Sequence, residues 1–230
     1  MAEPESHNQK GKMTDRAIIF DLDGTLLDTL QDLAESCNLL RAEKNLPVLA
    51  SSDYKLLVGN GLDILMRRTL ELEAEDDVSC YVHRFKEIYQ QRWQRNCCPY
   101  PGVDAMLVRL ADMRIPLAVL SNKPHAFTAL FVDRFLPDAP FARVYGHRQE
   151  VAKKPDPAAA LAIMDELGCT AGNSFFVGDS GVDMQTARAA GMYAVGVSWG
   201  FRSVRELREN GADMIIDSPL QFVEHVSTLT

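Results

Sequence analysis

Five short apolar runs punctuate the chain. Ala17–Phe20 (AIIF) ends at Asp21, and Pro116–Leu120, Ser174–Val177, Tyr193–Val197 and Met214–Ile216 repeat the pattern. An unbroken apolar run of this length predicts a strand buried on both faces, as in a parallel sheet. Helical patterns lie between the runs. Ala158–Leu167 stops at Gly168 and Val182–Ala190 stops at Gly191, glycine being the residue that most readily takes the left-handed turn after a helix. Strands alternating with helices predict a doubly wound α/β sheet, whose ligands sit at the carboxyl ends of the strands.

From about Thr29 to residue 98 the rhythm changes. Apolar residues recur at helical spacing: Leu30, Leu33, Cys37 and Leu40, then Leu62, Leu65, Met66 and Leu70, then Val82, Phe85, Ile88 and Tyr89. No strand is expected there. The pattern predicts a small helical domain over 29–98, inserted into a core made of 15–28 and 99–230. The return hinge is expected at Cys97–Gly102, stiffened by Pro99 and Pro101. Residues 1–14 (MAEPESHNQKGKMT) are expected to be a flexible polar tail. They have no apolar core of the kind a secretory signal carries.

Composition narrows the function. The 230 residues are 47% hydrophobic and 24% charged, an ordinary globular balance. The 24 Lys and Arg against 32 Asp and Glu give a net charge of −8, which argues against nucleic acid as a partner because phosphate neutralisation needs clustered cations. A locally positive pocket for a small anion stays compatible with that charge. The longest uncharged apolar stretch, Ala189–Phe201, has 13 residues, short of the roughly 20 needed to span a membrane. Cys37, Cys80, Cys97, Cys98 and Cys169 have no disulfide or zinc spacing, and the adjacent Cys97 and Cys98 are expected to be reduced. A cytoplasmic protein is the expectation, as monomer or homodimer.

Four strand ends or loops carry polar groups. Phe20-Asp21-Leu22-Asp23-Gly24-Thr25 places two carboxylates before a glycine turn. Ser121-Asn122-Lys123 follows the second run, Lys154 precedes Pro155, and Gly178-Asp179-Ser180-Gly181-Val182-Asp183 follows the SFFV run. Singly each reads as a helix cap, a turn or a surface charge. Together, a parallel sheet brings them to one edge. Asp21, Asp23 and Asp179 would repel one another there without a cation, and hard oxygen ligands suit Mg²⁺ and phosphate oxygens. A lysine and a hydroxyl complete a site for a phosphoryl group.

Asp21-Leu22-Asp23-Gly24-Thr25-Leu26-Leu27-Asp28-Thr29 resembles the first motif of the haloacid dehalogenase (HAD) superfamily. Ser121, Lys154 and Gly178–Asp183 match its other three motifs in order, so the resemblance covers residues 16 to 228. It implies a Rossmann-like parallel sheet core with the helical insertion as a small cap domain. It also implies a mechanism. Asp21 would be the nucleophile forming an aspartyl-phosphate, and Asp23 the acid that protonates the leaving oxygen and then the base that activates water. Mg²⁺ would be held by the Asp21 carboxylate, the Asp23 main-chain carbonyl and Asp179. Asp183 would orient Lys154 or a water on the metal. Ser121 would bind phosphoryl oxygens, Lys154 (or its neighbour Lys153) would neutralise charge, and Gly24, Thr25 and Asn122 would meet the substrate.

Within the superfamily, the second acid Asp23 favours phosphate-ester hydrolysis or phosphoryl transfer over dehalogenation. Val58–Arg68 resembles the cap loop and helix of phosphoglycolate phosphatases. Gly59, Asn60 and Gly61 would approach a small ligand, and Arg68 would meet its carboxylate bidentately. Ser121–Pro124 and Trp199–Ser203 look like the same subfamily, and the latter also like related pyrophosphatases. The expectation is therefore a phosphatase of small phosphorylated metabolites acting on 2-phosphoglycolate. The alternatives are a pyrophosphatase or sugar-phosphate phosphatase, then a β-phosphoglucomutase-like mutase, and last a non-catalytic binding module.

Overall fold

A computed structural model describes residues 15–229; the expected tail, 1–14, lies outside them. The elements run β1 (Ile18–Phe20), β2 (Leu27–Asp28), α1 (Leu30–Glu43), α2 (Leu62–Leu70), α3 (Ser79–Gln90), β3 (Cys98–Pro99), α4 (Val103–Asp112), β4 (Leu117–Pro124), α5 (His125–Phe135), β5 (Phe141–His147), α6 (Ala158–Leu167), β6 (Phe175–Gly178), α7 (Gly181–Ala190), β7 (Tyr193–Val197), α8 (Val204–Glu209), β8 (Met214–Ile216) and α9 (Pro219–Ser227). Six parallel strands form one sheet in the order β5-β4-β1-β6-β7-β8. All five expected strands are in it.

Alternate residues of each strand feed opposite faces, because the side-chain period of a strand is two. Ile18 and Phe20 join Val119, Val177 and Val195 on one face, packed under α4, α5 and α9. Ile19 joins Ala118, Phe176 and Ala194 on the other, under α6, α7 and α8. Burial on both faces is why these strands read as unbroken apolar runs. The chain winds from β1 outward through β4 to β5, then returns to the other side of β1 for β6, β7 and β8. That reversal opens a crevice beyond the carboxyl ends of β1, β4 and β6.

Two features differ from the sequence expectation. The edge strand β5 is absent from it: FARVYGH is half-exposed along most of its length and carries Arg143 and His147, so it shows no apolar run. And β4 continues past Leu120 through Ser121 to Pro124, paired with β5 at Ser121–Gly146 and Pro124–His147. Ser121 and Asn122 thus stand on the strand, with its rigidity, rather than on the loop after it.

The region between β2 and β3 is helical, and among the described residues it contains no strand. Leu33, Cys37 and Leu40 of α1, Leu65, Met66 and Leu70 of α2, and Phe85, Ile88 and Tyr89 of α3 bury the faces their spacing defines. The chain leaves and re-enters through an antiparallel pair, Leu27 opposite Pro99 and Asp28 opposite Cys98. Buried Asp32 on α1 accepts from the Asn96 and Cys97 amides at 3.0–3.1 Å and from Asn96 Nδ2 at 2.7 Å, tying the returning chain to α1. No helix among the described residues is long and apolar enough to cross a membrane.

Candidate active site

The site is built where β1, β4 and β6 end. Asp21 follows Phe20 directly, and the Asp21 amide donates to Val177 O at 2.9 Å, so the sheet itself aims this residue. The turn after it passes through Gly24 at φ +87°. A Cβ on Gly24 would lie 2.3 Å from Asp179 Oδ2, so only glycine lets the β1 turn approach the β6 carboxylate. Asp179 follows Gly178 and accepts from the Phe201 amide at 2.7 Å. Asp183 caps its own helix, α7, accepting from the Ser180 amide and hydroxyl at 3.0 and 2.6 Å through Oδ2. Its other oxygen is thereby turned to Lys154.

Lys154 is the centre of charge. Nζ sits 2.8 Å from Asp21 Oδ1 and 2.6 Å from Asp183 Oδ1. Its neighbour Lys153 instead lies 3.7 Å from Asp63 and beside Gly61, which settles which lysine faces Asp21. Asn122 latches the Lys154 segment in register: Oδ1 accepts from the Lys154 amide at 2.9 Å, and Nδ2 donates to Lys154 O and to Gly59 O, at 3.1 and 3.0 Å.

Oxygens of Asp21, Asp179 and Asp183 all lie within 4.8 Å of one another, and all three residues are buried. Burial pushes the Asp21 carboxyl up to about 7. Lys154 opposes the shift, and Asp183 adds to it. Asp179 is raised well above the carboxylate range by burial, then by Asp183 and Asp21. Burial works against a charged Lys154, but Asp183 and Asp21 outweigh it and keep its ammonium above the usual range. Three buried carboxylates thus face one ammonium. Hard carboxylate oxygens in excess of positive charge form a donor set that could hold a divalent cation such as Mg²⁺.

The Asp23 side chain stands apart from that cluster. It accepts from Thr29 Oγ1 at 2.6 Å and from Lys123 Nζ at 2.9 and 3.2 Å. Lys123 also reaches Tyr89 Oη on α3 at 3.2 Å and lies 4.4 Å from the Phe131 ring centroid. The carboxylate side chains that gather at Asp21 are therefore Asp179 and Asp183, and Asp23 is paired with Lys123.

One cavity joins these groups. Asp21, Asp23, Ser121, Asn122, Lys154 and Asp179 line it from the sheet side, and Val58, Gly59, Gly61, Leu62 and Leu65 from the helical insertion. Ser121 contributes Oγ, which also accepts from the Lys123 amide at 3.2 Å. Other expected residues stand elsewhere. Thr25 is buried behind Asp179, 3.5 Å from Oδ1. Arg68 is exposed on α2, whose buried face carries Leu65, Met66, Thr69 and Leu70. Its Nη1 donates to Leu56 O, Leu57 O and Asn60 Oδ1 at 3.2–3.5 Å, and neither Arg68 nor Asn60 lines the cavity. Among the lining residues without an individual expected role are Lys123, Phe201 and Arg202. The sequence signal for them was the Ser121–Pro124 and Trp199–Ser203 runs, whose resemblance to the subfamily assigned no role to these three residues.

Known proteins resemble the chain along most of its length. The profile of haloacid dehalogenase-like hydrolases matches residues 18–197. Phosphoglycolate phosphatase of Pseudomonas syringae pv. syringae is 36% identical over 208 residues, covering 88% of this chain and 76% of the relative. That of Pectobacterium atrosepticum is 30% identical over 206 residues, covering 88% of each. The crystal structure of a predicted phosphoglycolate phosphatase from Haemophilus somnus superposes with a TM-score of 0.85 at 29% identity, covering 93% of this chain and 99% of that one. The chain is an enzyme of the haloacid dehalogenase-like hydrolase family, and stands there beside phosphoric monoester hydrolases.

Proposed function

We propose that this hydrolase is a Mg²⁺-dependent phosphatase that cleaves 2-phosphoglycolate through a phosphorylated Asp21, with residues 29–98 as a cap over the site. The observation that carries the reading is the Asp21 carboxylate at the end of β1, bonded to Lys154 and clustered with two further buried carboxylates, Asp21 and Asp179 lining one cavity with Ser121 and Lys154. The relatives' names supply the choice of phosphoglycolate.

In this mechanism an Asp21 oxygen attacks phosphorus and the bond to the ester oxygen breaks. Asp23 delivers a proton to that oxygen as it leaves. Asp23 then takes a proton from water, whose oxygen attacks the phosphoryl group and releases phosphate, returning Asp21 to a carboxylate. Thr29 and Lys123 hold Asp23 for both steps. Lys154 keeps Asp21 oriented and stabilises the negative charge on the phosphoryl oxygens, and Ser121 Oγ donates to one of them. Asp21, Asp179 and the Asp23 main chain would hold Mg²⁺, with Asp183 beside them fixing Lys154. The ion adds positive charge where phosphoryl oxygens and carboxylates crowd.

Phosphate release from a panel of phosphoglycolate, pyrophosphate and hexose phosphates tests the substrate. The highest kcat/KM is expected for phosphoglycolate. A tenfold advantage for pyrophosphate or a hexose phosphate would replace the substrate and leave the Asp21 chemistry in place.

Metal binding is also readable without turnover. Asp21 titrates near 7 when folded, against 3.8 ordinarily. The fold therefore favours the protonated carboxyl, and this contribution to stability is present below about pH 4 and lost as pH rises through about 7. A bound cation substitutes for the missing proton. The thermal midpoint in chelator is expected to fall between pH 6 and 8, and millimolar Mg²⁺ to raise it more at pH 8 than at pH 6. An equal rise at both would separate the metal from these carboxylates.

A further inference from the structure

Arg202 follows the Trp199-Gly200-Phe201 run after β7 and reaches across to the insertion. Its side chain is 9% exposed. Nη2 donates to Val58 O at 2.8 Å and lies 3.5 Å from Leu56 O, while Nε stands 3.4 Å from Glu206 Oε1. Glu206 Oε1 is itself held by the Gly181 amide at 3.1 Å. The guanidinium is thus gripped on two sides. Its third nitrogen, Nη1, is buried and has no hydrogen-bond partner.

An unsatisfied buried donor on a charged group is costly, and a bound ligand is one of the things that completes it. Arg202 lines the same cavity as Asp21 and Lys154. Three cationic side chains line that cavity among the described residues. Lys154 is committed to Asp21 and Asp183, and Lys123 to Asp23. Of the three, Arg202 alone has a nitrogen without a hydrogen-bond partner. Val58, Gly59, Leu62, Leu65 and Phe201, apolar or without a side chain, line the same cavity, with Asp179 and Ser180 on its polar side. A charge-assisted hydrogen bond formed there is poorly screened.

We infer that Arg202, through Nη1, recognises a second anionic group on the substrate, at the end remote from the transferred phosphoryl group. The inference rests on the phosphatase reading above and deepens it: on 2-phosphoglycolate that group is the carboxylate. Arg202 is then a specificity residue. It also links substrate to the insertion, because the same guanidinium holds the Val58 carbonyl beside Gly59. This assigns to Arg202 the recognition role that the family resemblance implied for Arg68.

The test compares 2-phosphoglycolate, pyrophosphate and ethyl phosphate, the last having no second anion, in wild type, Arg202→Met, Arg202→Lys and Arg68→Ala. Arg202→Met is expected to lower kcat/KM for phosphoglycolate by about 30- to 1000-fold, chiefly through KM, and for ethyl phosphate by much less. Arg202→Lys keeps the charge without the fork and should fall between. Arg68→Ala loosens the same Leu56–Asn60 loop from outside the cavity, so any loss it causes should be equal for all three substrates. An equal loss on all three for Arg202→Met would make the arginine a loop brace and overturn the inference. If wild type instead prefers pyrophosphate and Arg202→Met removes that preference, the recognition of a second anion stands and the phosphoglycolate reading falls. If wild type makes no distinction between ethyl phosphate and either dianionic substrate, both fall. Should Arg202→Met fail to fold, competition decides: glycolate should inhibit ethyl phosphate hydrolysis in wild type and at least tenfold more weakly in Arg202→Lys, and equal inhibition overturns the inference.

Discussion

Asp21→Asn is expected to fold normally and to lose at least about 10³-fold in phosphate release, because an amide oxygen is a far weaker nucleophile than a carboxylate and no second carboxylate is positioned to replace it. Asp183 is spent on Ser180 and Lys154, and Asp179 on the Phe201 amide. Asparagine has the shape of aspartate and keeps an oxygen for Lys154. It also removes one of three crowded buried carboxylates, whose mutual repulsion helps raise Asp21 to about 7. In chelator at pH 8 its thermal midpoint should therefore equal or exceed that of wild type. Loss of activity with retained stability separates a nucleophile from a structural acid. Turnover within tenfold of wild type in the folded variant would remove Asp21 from the mechanism.

Lys154→Met is expected to fail in both respects. The ammonium is the counterion of Asp21 and Asp183 at 2.8 and 2.6 Å in a buried setting. Removing one partner of a buried ion pair strands the other, at about 3–5 kcal/mol. Turnover should drop by about 10³-fold as the charge facing the phosphoryl oxygens disappears. Urea denaturation in chelator measures the first effect and phosphate release the second. The stability loss should shrink on lowering the pH from 8 to 6, because without Lys154 the stranded carboxylates can neutralise by taking up protons. A loss below about 1 kcal/mol at pH 8 would show that Lys154 is not what balances this cluster.

The arginines mark where reading the chain as a string stops working. Arg68 sits on a helix whose buried positions are 65, 66, 69 and 70, and the helical period puts it outside that stripe. The spacing was available in the sequence. What was not available is where the rim of the cavity runs relative to α2. Arg202 falls in the Trp199–Ser203 run that resembles the subfamily, but the run assigns it no role, because its partner Val58 is 144 residues away. Lys123 is similar. Two residues past Ser121 it gives no hint of its partners, and only the packing of Tyr89 on α3 against Phe127 and Phe131 on α5 brings the Tyr89 hydroxyl and the Phe131 ring to its ammonium, where Asp23, 100 residues distant, also arrives.

By itself the sequence determined the parallel sheet, since strands buried on both faces must be apolar throughout, and the helical insertion, since each amphipathic stripe must bury its face. It also placed Asp21 and Asp179 at one edge of the sheet, because they follow β1 and β6 and parallel strands deliver their carboxyl ends together; Lys154, in the loop between β5 and α6, and Asp183, in the first turn of α7, reach that edge through the tertiary fold, and Asp183 takes the place in the carboxylate cluster that the sequence reading gave to Asp23. Tertiary structure decided the rest. It added β5, whose single neighbour leaves half of it wet and so erases the apolar run. It turned Asp183 Oδ1 toward Lys154 and gave Asp23 to Lys123, choices made by side-chain rotation at fixed backbone positions. And it chose Arg202 over Arg68 to line the cavity, since the depth of a charge in a pocket depends on segments that meet only after the chain has folded.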